Sequence, residues 1–158
     1  MITLKELLNG HNIQFVPIAH QQNLEDLQDK LNKFRSAYGK PMVVTSGYRS
    51  EEEHLAIYKK KGITDKAKIP MKSKHLAGQA CDFADPNADL WKFCIVNLSL
   101  CKSLGLWLED PRWTHGRLGN WTHFQSVAPA SGKRIFVPST APMVDSKIWD
   151  GYYAKLYD

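Results

Sequence analysis

The stretch SKHLAGQACDF, residues 73–83, leads from a polar loop into a short apolar run. It places His75 and Asp82 seven residues apart, around Gly78 and Ala80. The two small residues would keep the backbone compact, so we expect His75 to lie in the loop and Asp82 to project from the strand. Either side chain alone could be an ordinary solvated group. Together with a further donor, they could bind a divalent metal.

A second histidine comes from NWTHFQ, residues 120–125, which has the pattern of an aromatic-rich strand. Because side chains alternate along a strand, His123 would share a face with Trp121. Two imidazoles and one carboxylate suit zinc and leave a fourth position for water. The sequence thus indicates one zinc ion held by His75, Asp82 and His123. The alternative is three unrelated polar residues.

The whole chain, of 158 residues, is 43% hydrophobic and 23% charged, which is typical of one globular domain spanning residues 1–158. It contains no internal repeat and no linker. No apolar stretch reaches the length of a membrane span, and MITLKELLNGHN at the start lacks the apolar region of an export signal. We therefore expect a monomer that is made in the cytoplasm and does not insert into membranes.

The net charge limits the classes of binding partner, and the cysteine spacing limits the kinds of cross-link and metal site. The formal net charge of +5 favours polyanionic surroundings such as nucleic acid, anionic lipid or acidic wall polymers. No nucleic-acid-binding motif accompanies the charge, so we expect no nucleic-acid partner. The three cysteines form no CxxC pair, which argues against a disulfide framework or a cysteine zinc site. We expect them to be buried thiols.

The order of predicted elements indicates an α+β fold: a small, mainly antiparallel sheet packed with two or three helices. Thr3 with Glu6, and Ser50 with Glu53, have the pattern of capping boxes that open helices. The predicted helices also include residues 23–39, 85–105 and 145–157, with Asn23 and Asp85 as N-caps. The predicted strands cover residues 41–49, 79–84, 106–110, 120–125 and 134–138.

Three motifs of the sequence resemble those of a known family. SKHLAGQACDF is similar to the SxHxxGxAxD signature of the peptidase M15 family, which includes zinc D-alanyl-D-alanine carboxypeptidases and phage endolysin-like L-alanyl-D-glutamate peptidases. TSGYRS upstream and WTHFQ downstream stand in the family's order, so the resemblance covers roughly residues 24–126. It implies a hedgehog or D-Ala-D-Ala peptidase-like fold with the zinc site on the sheet.

Carried over residue by residue, the resemblance makes His75, Asp82 and His123 the ligands of one zinc ion. It also makes Arg49 the residue that holds a substrate carboxylate or carbonyl oxygen. The position of Arg49 supports this independently, because an arginine just past an apolar strand can present a fixed fork to a carboxylate. The alternative is an ion pair with a glutamate of the following helix. Ser73 could fix the histidine loop by a hydrogen bond.

One position departs from the family pattern. Carboxypeptidases of the group carry an acidic residue three positions before the last histidine ligand, where this chain has Asn120, which cannot act as a base. The nearest candidates are Glu109, His115 and Asp110, in that order. Glu109 comes first because it follows a strand pattern that could neighbour the metal strand. The alternative for all three is a polar loop between strands.

The leading functional hypothesis is a zinc-dependent peptidase that acts on the stem peptides of peptidoglycan, as a carboxypeptidase or an endopeptidase. The resemblance and the basic charge favour a phage lysin or a virion-associated hydrolase that reaches the wall after release or as part of a virion. A non-catalytic, zinc-stabilised binding module of the same fold is the alternative, supported by Asn120. A basic nucleic-acid binder is the third hypothesis.

Overall fold

Helices and strands are interspersed along the chain in the computed structural model, which describes residues 1–116 and 119–137. The helices of these residues are α1 (Leu4–Leu7), α2 (Ile18–Tyr38), α3 (Glu51–Lys60), α4 (Asp89–Val96), α5 (Leu98–Ser103) and α6 (Pro111–Thr114). Short 3-10 turns cover Ile13–Phe15, Lys66–Lys68 and Lys74–Ala77. The strands are β1 (Val44–Ser46), β2 (Ala80–Ala84), β3 (Trp107–Glu109), β4 (His115–Gly116), β5 (Gly119–Gln125) and β6 (Ile135–Phe136).

The strands form one sheet in the order β1-β2-β5-β3-β6, and β4 pairs with β5 beside this path. All pairings are antiparallel except that of β3 with β6. The predicted α+β fold with a mainly antiparallel sheet is therefore confirmed. Strands β2 and β5, which come from distant parts of the chain, lie next to each other in the middle of the sheet.

Both predicted capping boxes are present. The Thr3 and Ser50 side chains accept from the backbone N–H of Glu6 and Glu53, whose carboxylates bond back to the cap residues. Helix α2 ends at Gly39 as predicted, with Gly39 at φ 72°.

The predicted start of α2 is wrong. The helix begins at Ile18 after Pro17, because proline fixes a backbone angle that suits a helix entry. Asn23 lies inside the helix, where its amide donates to the Ala77 carbonyl over 2.8 Å.

The single helix predicted over residues 85–105 is two helices, which is a second correction. Asn97 leaves the helical conformation, with φ −113° and ψ 38°, and its side chain donates to the carbonyl of Phe93 over 2.9 Å. A side-chain amide that competes for backbone groups in this way favours a break. The predicted start is also wrong, because α4 begins at Asp89 with Ala88 as N-cap, although the Asp85 carboxylate still accepts from the N–H groups of Leu90 and Trp91.

The core lies between α2 and one face of the sheet. Leu24, Leu27, Leu31 and Phe34 of α2 are fully buried, and the ring of Phe34 packs 5.0 Å from that of Phe124 on β5. Because side chains alternate along a strand, the residues on either side of Phe124 point to the opposite face. The apolar packing thus covers one face and leaves the other for polar groups.

Three further expectations concern the cysteines, membrane-spanning helices and the helix predicted near the C-terminus. The three cysteines are buried and free, as expected. Among the helices of the described residues, none has the length and apolar character that crossing a bilayer requires. The helix predicted over residues 145–157 lies outside the described residues.

Candidate metal centre and active site

Strand register brings two of the expected ligands together. In the β2–β5 pair, Asp82 lies directly opposite His123, so both side chains point to the same face. In the β1–β2 pair, Asp82 is also the partner of Ser46. The centre of the sheet therefore carries a carboxylate with an imidazole on one neighbouring strand and a hydroxyl on the other.

The third expected ligand, His75, is held over the sheet by the 3-10 turn that precedes β2. Gly78 ends this turn with φ 70°, and a Cβ there would lie 2.8 Å from both the His20 carbonyl oxygen and Leu24 Cγ. Both the backbone angle and the space thus require glycine. The turn packs tightly on α2, which fixes how far His75 lies from the strand.

The His75 ring has one defined orientation. Its Nδ1 lies 2.8 Å from the Gly47 carbonyl oxygen, which can only accept, so Nδ1 carries the proton. Nε2 is left free to coordinate and lies 3.4 Å from Asp82 Oδ2. A histidine that donates its other ring N–H to a backbone carbonyl is the usual arrangement at a metal site.

The three side chains form a compact set of donors. His123 Nδ1 lies 2.7 Å from Asp82 Oδ1, and one ligand atom from each residue lies within 4.8 Å of the others. Burial alone would raise the pKa of Asp82, but the two imidazoles outweigh it and hold that pKa well below its usual range. Burial lowers the pKa of His75, which favours the neutral, coordinating form. Two nitrogens and one ionised oxygen fit a zinc ion.

The Gly47 carbonyl depends on the N-terminal helix. The backbone N–H of Tyr48 donates to the Leu7 carbonyl over 2.7 Å, and a Cβ on Gly47 would lie only 2.2 Å from that oxygen. Helix α1 therefore ends against the peptide that orients His75. Sequence reasoning missed this role, because a backbone carbonyl has no side-chain signature.

Arg49 lies beside the cluster. Its Nε and Nη2 donate to Ser46 Oγ over 3.1 and 2.7 Å, and Nη2 lies 3.6 Å from Asp82 Oδ2. Among the ion pairs of the described residues, the alternative pairing of Arg49 with Glu52 or Glu53 does not occur, and Glu53 pairs with His11 instead. Ser46 positions the guanidinium, a role that the sequence reading left unassigned.

Glu109 ends β3 on the same face as the cluster. Strand β3 pairs with β5 through Leu108 and Phe124, so the next residue, Glu109, comes beside His123. Glu109 is partly buried, and this burial raises its pKa to about 7. The charge of His123 opposes the rise, and Asp82 adds to it. A carboxylate with this pKa next to a cluster of potential metal ligands suits a general base at neutral pH.

The other two candidate bases, His115 and Asp110, are both buried. His115 Nε2 lies 3.0 Å from Asp85 Oδ2, an oxygen that also accepts from Thr122 over 2.8 Å. Asp110 is fully buried. Asn120, at the position where the family pattern has its acid, donates to the Pro86 carbonyl over 3.1 Å. Glu109 is therefore the candidate that the sheet places beside the cluster.

Helix α3 contributes a buried histidine. His54 lies near the start of α3 but is 1% exposed, and its ring packs 5.0 Å from that of Tyr58. Tyr58, one turn further along α3, is partly buried. Ser73 begins the 3-10 turn without a side-chain cap hydrogen bond. The group that fixes His75 is therefore the Gly47 carbonyl and not, as expected, the Ser73 hydroxyl.

Such a cluster on an antiparallel sheet, with a carboxylate of raised pKa and an arginine beside it, defines a metallopeptidase type of active site. The family model described as Peptidase M15 matches residues 2–116, and the chain belongs to the peptidase M15 family. Its members are metal-dependent peptidases of the peptidoglycan-hydrolase kind. No curated protein and no solved structure matches the chain.

The family match includes His75, Asp82 and Glu109 but ends before His123. The last donor of the cluster therefore rests on the structure, where the β2–β5 register places it opposite Asp82.

Proposed function

We propose that the protein hydrolyses an amide bond in the stem peptides of peptidoglycan, with one zinc ion held by His75, Asp82 and His123. The observation that carries this proposal is the donor cluster, whose ligand atoms lie within 4.8 Å of one another on the same sheet face as Glu109. Membership of the peptidase M15 family supports the reaction class.

When bound, zinc supplies Lewis acidity that polarises a water molecule and a carbonyl oxygen. Glu109 accepts the proton of the attacking water and returns it to the leaving amine, a role that its pKa of about 7 suits. Arg49 donates its planar fork to a substrate carboxylate or to the oxygen on which negative charge develops. Ser46 holds that fork in place through two hydrogen bonds.

The test is mass spectrometry of purified sacculi after incubation with zinc-loaded protein. The proposal predicts soluble fragments whose new termini identify the bond that is cut, carboxypeptidase or endopeptidase. Asp82→Ala protein is the matched control and should release none. Fragments that appear equally with this variant would show that the cluster does not carry the activity.

The second candidate function is a zinc-stabilised module that binds the wall without cutting it, and Asn120 favours it. That reading predicts that zinc-loaded protein sediments with sacculi while releasing no fragments. The same incubation therefore separates the two functions, because bound and released material can be measured in one sample.

We further propose that the enzyme is a monomer and that it is a phage lysin or a virion-associated hydrolase. The similarity of SKHLAGQACDF to the signature of phage endolysin-like peptidases supports this setting, together with the net charge of +5. Analytical ultracentrifugation tests the oligomeric state. Addition of the protein to bacteria with a permeabilised outer layer tests lysis, and intact turbidity would contradict a lytic role.

A further inference from the structure

A dense basic segment, residues 59–74, leads from the end of α3 to the 3-10 turn that carries His75. It contains seven lysines and a single acid, Asp65. The lysines are Lys59, Lys60, Lys61, Lys66, Lys68, Lys72 and Lys74. All are exposed except the last, which is partly buried. We call residues 59–74 the lysine segment.

The lysines have no anionic partner in the described part of the chain, where the ion pairs of lysine involve only Lys30 and Lys33. The one aromatic contact of the segment's lysines there is Lys61 Nζ, 5.2 Å from the centre of the Tyr58 ring. Lysines at a helix C-terminus stabilise the helix dipole, which accounts for those next to α3. It does not account for Lys66, Lys68 and Lys72 in the loop.

The segment is a built loop and not an extended tail. Ile63 N–H donates to the Tyr58 carbonyl over 2.9 Å, and the Asp65 carboxylate accepts from Ala67 N–H over 3.0 Å. Ile69 is 6% exposed and anchors the middle of the loop in the protein. The backbone therefore displays the ammonium groups on a defined surface.

This surface adjoins the active site at both ends. Lys74 precedes His75 directly in the chain. At the other end, the charge of Lys61 acts on Glu109 and opposes the burial that raises the pKa of that carboxyl. A chain of negative charge that lay along the segment would therefore lie next to the candidate base and the metal donors.

We propose that the lysine segment binds an anionic cell-wall polymer whose charge is carried by phosphodiesters, and so holds the enzyme at its substrate. This inference rests on the proposed function. Lysine ammonium groups are point charges that recognise a phosphate without fixed geometry, which fits a flexible, repeating polyanion. Binding of this kind is electrostatic and weakens as salt rises.

Two other polyanions fit the surface less well. Single-stranded nucleic acid is bound by basic grooves that include aromatic stacking platforms, and residues 59–74 contain no aromatic side chain. Binding to an anionic membrane is strengthened by exposed apolar side chains that enter the lipid. Among the described residues, the large exposed apolar side chains all lie outside this segment.

The test compares two variants of equal net charge. In the segment variant, Lys60, Lys66, Lys68 and Lys72 are changed to Gln. In the control variant, four exposed lysines outside the segment are changed to Gln: Lys5, Lys40, Lys92 and Lys133. Binding of each full-length protein to poly(glycerol phosphate), to an oligothymidylate and to phosphatidylglycerol-containing vesicles is measured by calorimetry at two salt concentrations.

We expect the wild type and the control variant to bind poly(glycerol phosphate) with similar affinity, falling as salt rises. The segment variant should bind about tenfold more weakly or worse. An equal loss in both variants would reduce the effect to net charge and overturn the proposal. Tighter binding of the wild type to the oligothymidylate or to the vesicles would overturn the assignment of the partner.

Binding and cleavage fail independently in this design. The calorimetry needs no turnover, so a protein that cuts no sacculi can still bind the polymer through the segment. Conversely, a protein that releases fragments but ignores poly(glycerol phosphate) would refute this inference alone. If both hold, the segment variant should cleave a short soluble stem peptide as the wild type does and lose activity on polymer-bearing sacculi.

Discussion

At Asp82 the two carboxylate oxygens have different neighbours. Oδ1 lies 2.7 Å from His123, whereas Oδ2 lies 3.4 Å from His75 and 3.6 Å from Arg49. The resulting low pKa keeps the group ionised throughout the neutral range. The carboxylate therefore offers a permanent negative charge to a cation, and it links the metal donors to the arginine that we assign to substrate.

Removing the carboxylate of Glu109 tests the proposed base. Glu109→Gln should lower kcat by about 10²–10⁴-fold, because a well-placed general base contributes on that order. The variant should keep its metal content and Tm. Glu52→Gln, an exposed change on α3, is the control and should keep full activity. A comparable loss of activity in His115→Ala at unchanged Tm would instead make the histidine the base.

The same assignment predicts the pH dependence of the reaction. A base must be deprotonated to act, so kcat/KM should rise with pH as Glu109 loses its proton. The pKa of Glu109 is about 7 in the metal-free site, and a bound cation lowers it. The ascending limb of the pH profile should therefore lie at or below pH 7. Residual activity of Glu109→Gln should lack that limb, and an unchanged limb would contradict the assignment.

Exchanging the fork of Arg49 for a point charge tests its proposed role with substrate. Arg49→Lys should lower kcat/KM by roughly 10²-fold, the order seen when one donor to a developing oxyanion is lost. Since the change keeps the positive charge beside Asp82, the melting temperature and zinc content should stay near wild type. Arg35→Lys on α2 is the control. Unchanged kinetics would reduce Arg49 to a partner of Asp82.

The sequence predicts the side chains that form this site better than it predicts the groups that hold those side chains in place. His75, Asp82 and Glu109 can be predicted from a motif and from the end of a strand pattern, because each uses its own side chain. The Gly47 carbonyl and the Ser46 hydroxyl cannot, since they act through contacts 28 and three residues away in the chain. Neither type of partner leaves a recognisable pattern.

At the scale of elements, the β2–β5 pairing sets the candidate metal site. Its register places Asp82 opposite His123, and a shift of one residue would turn one of the two side chains to the core face. The site is therefore as precise as the strand pairing. His75 is the exception, because it reaches the cluster from a turn that α2 and Gly78 hold in place.

Zinc content tests whether these elements form one site. We expect one zinc per chain in the wild type, measured by elemental analysis after dialysis, and loss of that zinc in the Asp82→Ala, His123→Ala double variant. Cys81→Ala is the control, because Cys81 adjoins Asp82 on β2 but is buried on the core side. Zinc retained in full by the double variant would show that the ion binds elsewhere.

His54 on helix α3 leads to a prediction about how stability depends on pH. Burial lowers its pKa from the ordinary value of 6.5, and the nearby Pro70 carbonyl only partly opposes this. Neither ring nitrogen meets hydrogen-bond geometry with a partner among the described residues. The unfolded chain therefore binds the proton more readily, and the free energy of unfolding should fall as pH drops through about 6.5.

Urea denaturation at pH 7.5 and pH 5.5 measures this effect. These two pH values lie about one unit above and below the ordinary histidine pKa of about 6.5. His54→Leu and His54→Gln should each lose less stability between the two conditions than the wild type, because neither side chain takes up a proton. If both variants lose as much as the wild type, another histidine causes the acid sensitivity.

At the scale of the molecule, the sequence predicts the fold class because apolar periodicity distinguishes α2 from the strands. It does not predict where helices divide. Asn97 breaks an otherwise continuous apolar pattern through its own amide, and Pro17 starts α2 six residues before the apparent cap at Asn23. Sheet order is also beyond reach, since β2 must skip β3 and β4 to pair with β5.

The pairing of Asp82 with His123 joins two points 41 residues apart in the chain. A covalent cross-link across such a loop removes chain entropy worth about 4 kcal/mol from the unfolded state. A cation bound to both residues would act as a reversible version of that staple, in a chain whose thiols are all unpaired. Removing that cation with a chelator should therefore lower the free energy of unfolding of the whole protein, which urea denaturation with and without chelator measures.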